Sequence, residues 1–330
     1  MNTALKVAVF ASGLAVAFGA AFGVGHAVGG APAPAHTSHE AGKANGAHGD
    51  HDAAAGHGER GGKDDHPVGG LQISEDGYTL SLDRSVVPAS GPTELSFRVL
   101  APDGKPLTAY RPAHEKELHL IIASRDLTSF QHLHPVRAAD GTWSVPANIA
   151  KAGDYRVFAD FTPAAGGEAL TLGADLHAGG DYQPAALPQT GRTVTVEGYT
   201  VTVTGDLTAG RAGKLAFAVS KDGKPVADLD PYLAAYGHLV VLRTGDLGYL
   251  HVHPDGEPGD GVTKPGPEVD FTATAPSAGD YRLFLDFQHE GTVHTAVFTL
   301  AAGANGASTV GSPTTATTAA PTPTESAHHH

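Results

Sequence analysis

HLIIASRDLTSFQHLHP (119–135) and HLVVLRTGDLGYLHVHP (238–254) are one pattern written twice. Each opens on a histidine, runs through β-branched and aliphatic residues, turns at a polar Asp-containing segment, and closes on His-x-His-Pro. An apolar run, a turn signal and a second short run read as a β-hairpin. The copies extend in both directions. DGKP at 103–106 repeats at 222–225, and DGYTLSL at 76–82 pairs with EGYTVTV at 197–203. AGDYRVFADF (152–161) returns as AGDYRLFLDF (278–287), seven residues later than the hairpin offset requires. The chain is therefore a duplication of a unit of ordinary domain size. We place repeat 1 at 70–183, a linker at 184–191 and repeat 2 at 192–302.

Within each unit, short runs such as YTLSL, ELSFRVL, TWSV and ALTLGADL alternate with SEDG, PASGP and AADG turns. Period-two strands separated by turn signals, without an amphipathic helical stretch, predict an all-β fold. The expected architecture is two tandem immunoglobulin-like β-sandwich domains. AGDY before YRVF and YRLF resembles the tyrosine corner of such folds.

Register decides what the hairpin can do. With the first turn centred between Asp126 and Leu127, His119 stands opposite His134, Ile121 opposite His132 and Ala123 opposite Phe130. Opposed and alternate residues share a face, so His119, His132 and His134 gather on one side. A slip of one residue would separate them. In the second copy the same construction gathers His238, His251 and His253. Neutral imidazoles at these spacings suit Cu(II) or Zn(II), with an open position left on the ion. Asp160 and Asp286, at matching places in the AGDY strands, are candidate fourth ligands. His114 and His177 in repeat 1, and His289 and His294 in repeat 2, are further candidates. The other residues on each histidine face are apolar, as is the opposite face. Such sheets are covered on both sides, which suggests that the repeats pack on each other or on a membrane or cell-surface partner. It also keeps a second reading open, in which the histidines are buried structural residues of an adhesive or scaffolding sandwich pair.

Composition narrows the chemistry. The chain of 330 residues has 21 Lys and Arg against 35 Asp and Glu, a net charge of −14, with 20 His, no Cys and one Met. Without Cys there is no disulfide, thiolate zinc knuckle, iron–sulfur cluster, thiol nucleophile or blue-copper site. The initiator being the only Met, a thioether site for Cu(I) is excluded from the mature chain. The acidic balance excludes nucleic acid as partner. No general-base spacing, Ser–His–Asp pattern or phosphate loop is present, so a non-catalytic protein is expected. Imidazole must be neutral to ligate, so affinity is expected to fall as pH drops through roughly 6.

The ends read differently. Residues 1–35 carry Lys6, an uncharged run from Val7 to Gly25 and an Ala33-Pro34-Ala35 cleavage pattern. This is a signal peptide or an N-terminal membrane anchor, which puts the remainder outside the cytoplasmic membrane. Residues 36–69 form a polar tether with His36, His39, His48 and His51 among its histidines, a composition that binds metal. Residues 303–330 are a Thr/Ala/Pro-rich tail; both tether and tail are expected to be disordered.

The paired hairpins, each followed by AGDYR-V/L-F and an acidic strand, resemble the exported actinobacterial heavy-metal-binding-domain proteins. More distantly they are similar to CopC-like and YtkA-like copper-handling sandwiches. The resemblance covers about 70–302 and implies extracytoplasmic metal buffering, delivery or resistance through His119, His132, His134 and their copies.

Overall fold

The computed structural model describes residues 68–304 apart from His251. Repeat 1 contributes β1 (Ser74–Glu75), β2 (Tyr78–Leu82), β3 (Val86–Pro88), β4 (Gly91–Leu100), β5 (Tyr110–Arg111), β6 (Leu118–Ser124), β7 (Phe130–Leu133), β8 (Val136–Arg137), β9 (Trp143–Ile149), β10 (Gly153–Pro163) and β11 (Leu170–Gly179). Repeat 2 contributes β12 (Thr193–Val196), β13 (Tyr199–Thr204), β14 (Ala212–Lys221), β15 (Lys224–Pro225), β16 (His238–Arg243), β17 (Tyr249–Leu250), β18 (Val252–Pro254), β19 (Glu268–Thr274), β20 (Gly279–His289) and β21 (Thr292–Ala302). The described residues contain no helix. In repeat 1 a sheet ordered β1-β2-β4-β9-β8 stacks on one ordered β3-β11-β10-β6-β7, with β5 beside β10. Repeat 2 stacks β12-β13-β14-β19-β18, with β15 beside β14, on β17-β16-β20-β21. The fold is all-β, two sandwiches in tandem.

Each sandwich has its own core. Phe97, Leu120, Trp143 and Val157 lie in that of repeat 1, and Phe217, Val241, Phe271 and Leu283 in that of repeat 2. The tyrosine expectation holds in both copies. Tyr155 Oη donates to the Lys151 carbonyl at 2.8 Å, and Tyr281 Oη to the Ser277 carbonyl at 2.8 Å. Each pins the start of its long strand to the preceding loop.

β6 is buried along its whole length, and alternation explains why. Leu118, Leu120 and Ile122 enter the sandwich core. Ile121 and Ala123 face the other way and join Leu127, Phe158, Val240, Leu242, Leu247 and Phe284 in a third cluster built from both repeats. Phe130 stacks on Phe284 there, with ring centroids 3.9 Å apart. The β6/β10 face of repeat 1 and the β16/β20 face of repeat 2 thus cover each other, and both histidine-bearing strands edge this seam.

The two hairpins are not equivalent. In repeat 1, Ile121 pairs with His132, Ala123 with Phe130 and Leu120 with Leu133, the register inferred above. In repeat 2 the ladder among the described residues holds Val241–Leu250 and Leu242–Tyr249. Further on, β18 pairs with β19 of the opposite sheet, setting His253 against Thr272. His253 is thus paired outside the ladder that would set it across from His238.

Phe284 sits in the shared cluster rather than in a sandwich core. Phe284→Ala is expected to cost about 3–5 kcal/mol and to separate the melting of the two repeats in calorimetry. A single transition at the wild-type midpoint would contradict this account of the seam.

Candidate metal centre

The site starts from two small turns. Ala113–Lys116 closes on itself through reciprocal backbone hydrogen bonds of 2.9 and 3.0 Å, with His114 and Glu115 both at positive φ. Tyr232–Ala235 repeats the turn, with Leu233 and Ala234 at positive φ. Each turn presents a carbonyl to the histidine six residues downstream. His119 Nε2 donates to the Ala113 carbonyl at 3.0 Å, and His238 Nε2 to the Tyr232 carbonyl at 2.8 Å. A carbonyl only accepts, so in each neutral ring the lone pair is on Nδ1.

His132 is oriented from the other repeat. Its Nδ1 donates to Asp286 Oδ2 at 2.9 Å, in a contact whose side chains are 6% and 5% exposed. Asp286 Oδ1 accepts from Thr295 Oγ1 at 2.6 Å. A carboxylate also only accepts, so the lone pair of neutral His132 is on Nε2. That nitrogen lies 3.1 Å from His119 Nδ1. The partners on the far sides of the rings have turned two lone pairs toward each other. With Asp286 ionised, a proton or a metal ion between the two nitrogens would relieve their opposition. Two imidazole nitrogens on one tetrahedral ion at 2.0–2.1 Å would be about 3.3 Å apart, so accepting a metal needs an opening of only a few tenths of an ångström.

His134 completes the group. Each of His119, His132 and His134 offers a ring nitrogen, and the three nitrogens lie within 4.8 Å of one another. His134 Nε2 is buried and has no hydrogen-bond partner, a costly condition for a polar atom. Beside the group is a cavity of about 310 Å³ between the repeats, lined by His114, His119, His132, Asp160 and His238 among others.

Burial favours the neutral form of His119, His134 and His238. Desolvation pushes His119 down to about 3 against the opposing pull of the Ala113 carbonyl, and the charge of His132 adds to the fall. His134 is likewise lowered to about 3, by desolvation first and then by His132 and His119. His238 falls to about 4, again through desolvation, opposed by the Tyr232 carbonyl. The expectation that protons displace metal near pH 6 assumed solvated imidazoles. At His119 and His134 burial lowers the pH at which protons would compete with a metal.

The other candidates have separate fates. Asp160 pairs across the ladder with His119 and accepts from Thr171 Oγ1 at 3.3 Å. His177 is exposed and contacts Asp154 at 2.8 Å, paired across from it at the far end of β10. His289 is buried and bonded to Tyr199 Oη at 2.8 Å and to Asp228 at 3.2 Å. His294 is buried against Tyr199 and bonded to Glu197. His289 is held by protein partners at both ring nitrogens and His294 at Nδ1. His251, the tether histidines His36, His39, His48 and His51, and residues 1–35 lie outside the described residues. Among the described residues no helix is long and apolar enough to cross a membrane. Sequence reasoning found the triad. It did not find the carbonyls of Ala113 and Tyr232, although their shared distance ahead of His119 and His238 was visible in the aligned copies.

The sequence profile described as "Domain of unknown function (DUF8832)" matches residues 72–179 and again 194–304. No curated protein matches the chain. Solved structures similar to it include FdeC, an Escherichia coli adhesin, at 18% identity and TM-score 0.22, covering 71% of this chain and 65% of that one. InvD of Yersinia pseudotuberculosis matches at 13% identity and TM-score 0.22, covering 70% and 59%. The chain spans less than two thirds of either, and at these scores the likeness carries no argument.

A histidine neutral in the fold but titrating near 6.5 when unfolded weakens the fold in acid, because the unfolded chain takes up the proton that the native ring refuses. Stability is retained above 6.5 and is lost as pH falls toward the native values near 3 and 4. Between pH 7 and 5, His119 and His238 should each remove roughly 2 kcal/mol. Urea denaturation of the chelator-treated protein at both pH values checks this; equal stabilities would count against it.

Proposed function

We infer that this chain, which belongs to that family through both of its repeats, is a non-catalytic metal-binding protein that holds Cu(II) or Zn(II) at His119, His132 and His134. The observation that carries this reading is the pair of lone pairs set 3.1 Å apart by the Ala113 carbonyl and the Asp286 carboxylate. Hydrogen-bonded partners behind metal-ligating histidines, fixing the tautomer and raising basicity, are the usual supporting arrangement of such sites. The partnerless His134 Nε2 supplies a third donor. Three neutral imidazoles favour late divalent ions, and the affinity order puts Cu(II) ahead of Zn(II). The cavity between the repeats, lined by His119 and His132, would give solvent ligands access to an ion held there. The signal or anchor reading of residues 1–35 assigns the protein to the outside of the cytoplasmic membrane, where buffering, delivery or resistance is the fitting role.

The structural reading of histidine is favoured at one place, around Tyr199. His289 and His294 are satisfied there by Asp228 and Glu197, and they belong to the architecture of repeat 2 rather than to metal chemistry.

A chain shortened to residues 67–304 removes the His-rich tether and tail while keeping every described strand. Calorimetric titration with Zn(II) at pH 7.5 is expected to show a high-affinity site that His132→Ala abolishes. Asp286→Asn, which keeps an acceptor but removes the charge, should weaken binding about 10–100-fold. Tight binding that survives His132→Ala would reject the reading.

A further inference from the structure

The triad leaves two nearby imidazoles unused. His114 sits on the positive-φ turn of repeat 1, at the place taken by Leu233 in the matching turn of repeat 2. Its ring centroid lies 5.1 Å from that of His238, across the boundary between repeats. Within the triad the corresponding separations are 5.4, 5.1 and 4.9 Å. His114 also lies 6.2 Å from His119, and His238 lies 6.1 Å from His132. Five imidazoles therefore form one continuous group, four of which, His114, His119, His132 and His238, line a single cavity. The Tyr232 carbonyl fixes His238 as the Nε2–H tautomer with its lone pair on Nδ1, just as Ala113 does for His119. Asp160, Glu117 and Lys116 also line this cavity, the Glu117 carboxylate accepting from Arg137.

We propose that the cavity between the repeats takes a second divalent ion of the same class, held by His114 of repeat 1 and His238 of repeat 2 next to the triad ion. The inference rests on the triad reading and extends it to a two-ion centre that neither repeat builds alone. Two protein ligands leave the second ion with positions for water, hydroxide or a small carboxylate from solution, and the cavity has room for one between the two ions. Duplication then has a chemical use. Repeat 2 pairs Val252–Pro254 with its opposite sheet, yet it contributes Asp286 behind one ion and His238 in front of the other.

The test uses the full chain, in which the tether and tail bind metal equally in every variant and cancel in differences. Wild type, H114A, H238A and H132A are loaded with Cu(II), and bound copper is counted after gel filtration. Electron paramagnetic resonance is recorded at half field, where only a coupled Cu(II) pair absorbs. H114A and H238A are each expected to bind one ion fewer than wild type and to lose the half-field signal. H114A changes a half-buried turn side chain outside the strands and guards against misfolding of H238A. Unchanged stoichiometry in H114A, or a wild type without the half-field signal, overturns the second ion. The triad reading is judged separately: H132A must also lose copper, and if it does not, that reading fails whatever H114A shows.

Discussion

The contact between Asp286 and His132 is the one on which the rest depends. It joins the repeats through a buried carboxylate, fixes which nitrogen of His132 carries the proton, and aims the other at His119. A carboxylate buried to this degree needs a hydrogen-bonding partner, and Thr295 and His132 provide it from two sides. The apolar seam makes the contact reachable. Stacking of Phe130 on Phe284 brings β20 of repeat 2 against the hairpin of repeat 1, and Asp286 is two residues further along that strand. Packing and chemistry are thus one arrangement: the same alternation that sends Ile121 and Ala123 into the seam sends His119 and His132 to its edge.

In the proposed site, water exclusion and metal affinity would be linked. Imidazoles in solvent are half protonated near pH 6.5, and a proton there competes with metal. Burial of His119 and His134 depresses their proton affinity, so the rings are available over a wider range of pH. The cost appears in the fold, which becomes less stable in acid because it must keep those rings neutral. An ion at the centre relieves both this and the lone-pair opposition between His119 and His132. It would therefore stabilise the folded chain as well as be held by it.

Much of this was legible in the sequence, because a period of two is a strong constraint. Once the turn was centred at Asp126 and Leu127, the pairing of Ile121 with His132 followed, and with it the shared face of the histidines. The division of β6 into core-facing and outward-facing apolar residues followed from the same alternation. The asymmetry between the copies was not legible. The second hairpin differs little in composition, yet Val252 pairs with Ala273 in the opposite sheet whereas Leu133 stays with Leu120. That choice depends on which neighbouring edge is open, a tertiary matter. The role of Asp286 was hidden for a similar reason. Its strand position suggested a ligand for its own repeat, while its actual partner lies 154 residues away, reached only when the repeats dock.

The most direct measurement is an anomalous scattering map at the zinc edge from crystals of residues 67–304 grown with Zn(II). The account requires a peak about 2.0–2.1 Å from His119 Nδ1 and His132 Nε2, with His134 as third ligand and Asp286 still on His132 Nδ1. A map without density there, and with His119 and His132 still in direct contact, would contradict it.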